Sequence, residues 1–261
     1  MAASFNRTDD LKGATFTGTD LTGARFVEVD FVDIVMRGSE VRDVEIESPW
    51  LFEGGATLHV NGVDVVPLVD AELNRRFPGR ELRHAEDPEQ LRAAWEALQS
   101  SWAGTLKRVA TLPRATVDES VGGEWSFSQT LRHLVFATDV WLRKAIQGVA
   151  PPYHPLGQTD TGAAASGIDM SAFVTTTPPF ADVLAVRAER VEMVRDFLAA
   201  TTAEELAESR TNPWASHHQE TVLSCLHTIL EEEWEHHRYA VRDLDVIAAE
   251  QHEEVQTNSN G

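Results

Sequence analysis

Residues 231–237 read EEEWEHH, four glutamates and two histidines within seven positions. Such side chains are donors for divalent metals, and equally the makings of a solvated helix face. An apolar stripe laid down from Leu223 at steps of three and four passes through Leu226, Leu230, Glu233, His237, then Ala240 or Val241, and Leu244. The stripe therefore puts Glu233 and His237 on the core side, one turn apart. Burying a carboxylate and an imidazole without partners costs several kcal/mol, so something must compensate. A divalent cation does so, and helical bundles build such sites from side chains that project inward from facing helices. An earlier helix offers a third donor, His133, at the margin of its stripe Phe127, Leu131, Leu134 and Trp141. His133, Glu233 and His237 make a three-ligand site with open positions, the layout of a catalytic rather than a structural centre. His236, on another face with Glu232 as its partner, is the alternative ligand. Glu231, Glu232, Glu235 and Arg238 otherwise read as a charged helix surface with i, i+4 contacts.

The remaining reactive residues carry less. His217 and His218 lie in a polar loop, and His227 falls off the stripe and reads as packing. Cys225, the single cysteine, has no flanking base to lower its pKa, so it is not assigned a nucleophilic role. No Ser-His-Asp arrangement stands out, and no catalytic residue is assigned. Trp125 and Trp141, near the level of His133, are candidates for the walls of a pocket.

Four amphipathic helices must position these groups. The first carries Leu91, Trp95, Leu98, Trp102, Leu106, Val109 and Leu112 at alternating steps of three and four. The second starts after GGEWS, where Ser126 and Gln129 form a capping-box signature, and runs to Gly148. The third follows Pro178 and Pro179 and carries Phe180, Val183, Leu184, Arg187, Val191, Val194 and Leu198. The fourth spans about Glu220 to Ala249. A connection of about thirty residues rich in small residues separates the second and third helices, long enough to serve as a lid. The expected bundle covers residues 88–250, and the polar segment 251–261 is expected to be a disordered tail. Before the bundle, residues 56–87 read as a cap and linker, with a hairpin at LHVNGVDV turned on Asn61-Gly62 and a short helix stopped by Pro78-Gly79.

Residues 1–55 obey a different period. In blocks of five from Asp9, the third positions are Leu11, Phe16, Leu21, Phe26, Phe31, Met36, Val41, Ile46 and Leu51, all apolar. A period of five fits neither a helix nor a flat strand, but it fits a solenoid that buries one large and one small residue per block. TDLTG and ARFVE resemble the pentapeptide-repeat family, which implies a right-handed four-sided β-helix of about two coils. GEWSFSQTLRHLVFATDVWL, with its Trp-Ser start and His133 eight residues after Trp125, together with the Glu233–His237 segment, resembles the DinB superfamily. That resemblance implies an all-α four-helix bundle, commonly dimeric, with a divalent metal held by His133 and by positions 233 and 237. It departs from the family in having Glu233 where the first histidine of a His-x-x-x-His pair would stand.

Together these give a two-domain chain, a short pentapeptide-repeat β-helix followed by a four-helix bundle. The function expected is that of a metal-dependent thiol S-transferase acting on small electrophiles, with Zn or Ni preferred over Fe or Mn and a low-molecular-weight thiol as cosubstrate. The alternative is a non-catalytic interaction or scaffold protein that uses the repeat segment. With 22 basic against 42 acidic residues, the formal charge of −20 argues against nucleic acid as a partner. A small-molecule substrate, a homodimer, no membrane association and a cytoplasmic location complete the expectations.

Overall fold

The computed structural model describes residues 4–6 and 9–259, with side chains up to Gln251, and these fall into two units, one ending at Glu47 and one starting at Ser48. The boundary lies before the expected one at residue 55. Residues 1–3, 7–8 and 260–261 of the expected terminal segments lie outside the described residues.

In the first unit the five-residue period is written into the backbone. Positive φ recurs at Gly13, Gly18, Gly23, Glu28, Asp33, Gly38 and Asp43. Turns close every tenth residue, where the amide of Ala14 donates to Leu11 O and that of Ala24 to Leu21 O, each at 2.9 Å. The carboxylates of Asp10, Asp20 and Asp30 accept from the amides of Lys12, Thr22 and Val32 in the same turns. No β-strand occurs among the described residues of this unit, and block-centre side chains such as Phe16 and Phe26 are more than half exposed, at 57% and 55%.

The second unit opens with a cap. β1 (His59–Val60) pairs antiparallel with β2 (Val63–Asp64) across Asn61-Gly62, whose φ values of 50° and 84° are those the Asn-Gly turn demands. α1 (Val66–Arg76) follows, and its Asp70 accepts from both Arg80 and Arg83, at 2.7 and 2.8 Å. Those two guanidinium groups lie over the Phe52 ring, which ties residues just past Ser48 to this cap.

The bundle consists of α2 (Pro88–Val109), α3 (Phe127–Thr138), α4 (Phe180–Ala200) and α6 (Val222–Ser259). Asp87 caps α2 by accepting from the amides of Glu89 and Gln90. Ser126 and Gln129 form the capping box read from the sequence. Leu91, Trp95, Leu98 and Trp102 of α2 meet Leu131 and Leu134 of α3, Val194 and Leu198 of α4, and Leu226, Leu230 and Leu244 of α6 in one core. After Thr138 the second helix of the bundle continues as a π-helical segment, Asp139–Ile146, which a 3.6-residue stripe cannot reveal. α5 (Ala203–Leu206) and a hairpin of β3 (Ser209–Thr211) with β4 (Gln219–Thr221) lead into α6. The helix does not end near Ala249 as expected but continues to Ser259, because residues 250–259 contain neither Gly nor Pro to stop it. No helix is long and apolar enough to cross a membrane among the described residues.

The turn after α1 depends on a glycine. Gly79 has φ 96°, and a Cβ there would stand 2.6 Å from the Ala97 Cβ on α2. Gly79→Ala is expected to lower stability by about 2 to 4 kcal/mol through backbone strain and overpacking. Gly104→Ala, within α2 and facing open space, is expected to raise it by about 0.5 to 1 kcal/mol. Urea unfolding midpoints of the two variants check both signs.

Candidate metal centre

The capping box starts α3 so that His133 arrives, buried, on the flank of the core. Its Nδ1 lies 3.0 Å from the carbonyl oxygen of Gln158, in the long loop. A carbonyl only accepts, so Nδ1 carries a hydrogen. Nε2 of the same ring faces Oε2 of Glu232 on α6 at 3.3 Å. One turn on, His236 Nδ1 donates to the Glu232 carbonyl at 2.8 Å, and its ring stacks on His133 with centroids 4.6 Å apart. One donor atom from each of His133, Glu232 and His236 lies within 4.8 Å of the other two.

The electrostatics follow from this crowding. Burial, then the neighbouring His133, pushes the His236 imidazole down to about 4, so it is neutral at physiological pH. Burial works to raise the Glu232 carboxyl, but the hydrogen bond from His133 and the two imidazoles beside it outweigh that and hold the group below its usual range. Two imidazoles, that of His236 neutral, and a carboxylate converge, and the positive centre between His133 Nε2 and the carboxylate oxygen is a proton or, in its place, a metal ion. Two histidines and one carboxylate are a donor set for Zn²⁺, Fe²⁺, Mn²⁺ or Ni²⁺. Ligands about 2.0–2.2 Å from a tetrahedral ion stand roughly 3.4 Å apart, so shifts on the order of 1 Å would close these three around one ion. The residues therefore fit a divalent metal. Trp125 covers the cluster, its ring 4.6 Å from His133 and stacked at 6.0 Å on His236. The second tryptophan proposed as a wall, Trp141, packs at the border of two apolar clusters instead.

The trio read from the stripe is not the one the fold assembles. Glu233 and His237 do face the core, at 1% and 4% exposure, but each has another partner. Glu233 takes Arg187 of α4, whose Nη2 lies 2.5 and 2.6 Å from its two carboxylate oxygens. Burial pushes the Glu233 carboxyl up, and Arg187 opposes that. His237 shares a 2.9 Å hydrogen bond with the Thr105 hydroxyl and meets Trp102, Phe77 and Trp234 edge-on. Burial pushes its imidazole down to about 4. Each thus has a protein partner in the core, although His237 Nδ1 and Arg187 Nη1 are buried there without a hydrogen bond among the described residues, and the second i, i+4 pair, Glu232 with His236, turns to His133.

Other candidates fall as follows. Glu235 pairs with Arg238 at 2.8 Å. His227 lies 2.8 Å from the Ala85 carbonyl oxygen, and its Nε2 donates to it, joining α6 to the segment before α2. His217 and His218 are exposed in the β3–β4 hairpin. The Cys225 thiol is buried and pushed up to about 12, far from any thiolate role at neutral pH. An open groove of about 790 Å³ along α4, lined by Ala188, Glu189, Met193 and Asp196 among others, includes none of the cluster residues.

Comparison with known families agrees with both halves of the chain. A model of the DinB superfamily matches residues 97–240, more than half of the sequence. A model of pentapeptide repeats matches residues 10–39, in eight copies. No curated protein and no solved structure matches the chain.

The separation of the two pairs can be tested through stability. Glu233→Ala strands the buried Arg187 and is expected to cost about 3 to 5 kcal/mol. The double replacement Glu233→Leu with Arg187→Met is expected to recover most of that loss, since no buried charge remains unpaired. Urea denaturation of the single and double variants decides this, and equal losses in both would contradict it.

Proposed function

Because the chain belongs to the DinB superfamily, we propose that it is a divalent-metal protein whose ligands are His133, Glu232 and His236, working as a metal-dependent thiol S-transferase on small electrophiles. The observation that carries the reading is the convergence of His133 Nε2, the Glu232 carboxylate and a neutral His236 within 4.8 Å. An ion held there supplies Lewis acidity that brings a bound thiol toward its thiolate near neutral pH. The chain's own residues do the rest. His133 and His236 each present one ring nitrogen, oriented by the carbonyls of Gln158 and Glu232. Trp125 offers an aromatic wall against which an apolar electrophile packs. The residues of the long loop laid on α3 exclude water from one side. A low-molecular-weight thiol as the nucleophile is consistent with the state of Cys225, the only cysteine.

Protein purified without an affinity tag is expected to bind one equivalent of Zn²⁺ or Ni²⁺ by calorimetric titration. His133→Ala, Glu232→Ala and His236→Ala should each weaken binding at least about 100-fold, and His237→Ala by less than about 3-fold. In the Co²⁺-loaded protein, a small thiol should add a sulfur-to-metal absorption band. Absence of any stoichiometric ion would end the metal reading. Binding without the thiol band would end the transferase reading alone.

The second reading, a scaffold built on the repeat, is favoured by the exposed block-centre residues Phe16, Phe26 and Phe31. In that reading residues 9–47 close as a right-handed four-sided β-helix when covered, supported by the five-residue recurrence of positive φ, and hold two chains together as a homodimer. Removal of residues 1–47 is expected to give a monomer by light scattering with Zn²⁺ affinity unchanged. A dimer that survives the deletion would assign self-association to the bundle.

A further inference from the structure

We propose that Asp139, at the start of the π-helical segment, is a positioning residue for His133 that acts through residues 154–158 of the long loop. The effect of this on metal binding rests on the assignment of His133 as a ligand, and the effect on His133 itself does not.

Asp139 is fully buried, at 0% exposure, and its carboxylate is a hub for three elements. Arg190 of α4 donates from Nε at 2.9 Å and from Nη2 at 3.3 Å. Arg143, one turn along the π-helical segment, approaches at 3.4 Å. The third donor is the backbone amide of His154, 2.7 Å from Oδ2, and this bond pins the loop. Two arginines face this one buried carboxylate, and a carboxylate acceptor makes the amide bond a strong one.

From His154 the constraint passes along the backbone to the metal ligand. The Leu156 amide donates to His154 Nδ1 at 3.1 Å, and the Gly157 amide donates to the His154 carbonyl at 2.9 Å. At Gly157 a Cβ would stand 3.2 to 3.3 Å from the His154 carbonyl oxygen, the Phe173 ring and the Phe136 Cβ, so the loop is seated hard against α3. Arg132 then takes the loop on both sides, its Nε donating to Leu156 O at 2.9 Å and its carbonyl accepting from the Gln158 amide at 3.0 Å. The next carbonyl, that of Gln158, is the one that accepts from His133 Nδ1. A carbonyl at that point keeps a hydrogen on Nδ1 and leaves Nε2 as the nitrogen turned toward Glu232, and partners of this kind govern ligand basicity and ring orientation. Asp139 never meets His133 by any of these bonds. It fixes where the Gln158 carbonyl stands.

Two variants test the link. Asp139→Asn keeps the shape, but its amide NH₂ must oppose one of the donors. His154→Pro removes the very N–H that Asp139 accepts, together with the ring Nδ1 that accepts from Leu156, and leaves the Asp139–Arg190 pair in place, so His154→Ala, which keeps the N–H, serves as its control. ¹⁵N NMR of the imidazole in metal-free protein reads the His133 tautomer, which a merely stabilising role for Asp139 would not move. Both variants are expected to lose the Nδ1–H preference of His133 and to bind Zn²⁺ about 10- to 100-fold more weakly. If Asp139→Asn does not fold, His154→Pro decides. A folded variant with an unchanged tautomer overturns the proposal, even where Zn²⁺ affinity has dropped. If the wild-type chain binds no Zn²⁺, the metal assignment fails, and the tautomer comparison still decides the role of Asp139.

Discussion

The ion pair between Arg187 and Glu233 sets the rotation of α6, and the candidate centre depends on that rotation. Both partners are buried, and one guanidinium nitrogen reaches both carboxylate oxygens. Turning Glu233 away would leave Arg187 charged and unpaired in the core, at a cost of several kcal/mol. Neighbouring residues on an α-helix point about 100° apart. With Glu233 and His237 held toward α2 and α4, Glu232 and His236 have to emerge on the side where α3 presents His133. The EEEWEHH run thus contains two overlapping i, i+4 pairs with different tasks. One neutralises and fills the core, and the other converges on a third donor.

Much of this was legible in the sequence. The capping box at Ser126, the Asn-Gly hairpin, the four helices and the inward direction of Glu233 and His237 all follow from local rules, and the structure has them. The division of labour between the two pairs was not legible from the α6 stripe. A stripe analysis finds the middle of a core, whereas a site that substrate must reach lies on the flank of one. Yet a signal was present on another helix. Arg187 stands within the α4 stripe, and an arginine buried in a bundle demands a carboxylate from a facing helix. Assigning Glu233 to that demand would have released the second pair, Glu232 with His236, for the site.

Other parts left no mark on side-chain pattern. The carbonyl that orients His133 belongs to the backbone of Gln158, and every residue type carries that carbonyl. The π-helical segment starts where the apolar pattern still looks helical, and Asp139, at its first position, reaches both Arg190 and the loop. In the repeat the reverse holds. Glycines mark the left-handed positions 13, 18, 23 and 38, but Glu28, Asp33 and Asp43 adopt the same φ without them. The backbone period there outlasts the residue type that signals it.

The charge at the candidate centre narrows what it can accept. With His236 neutral down to about pH 4, the half-buried cluster would offer a metal one negative charge, that of Glu232. A divalent ion in it carries a residual charge of +1, which one anionic ligand in an open position cancels. A thiolate is such a ligand, and neutrality favours it where burial penalises net charge. Three histidines would leave a residual charge of +2 and a stronger Lewis acid. Glu232 therefore shifts the site away from strong activation and toward holding a single anion, with preference moving to harder ions.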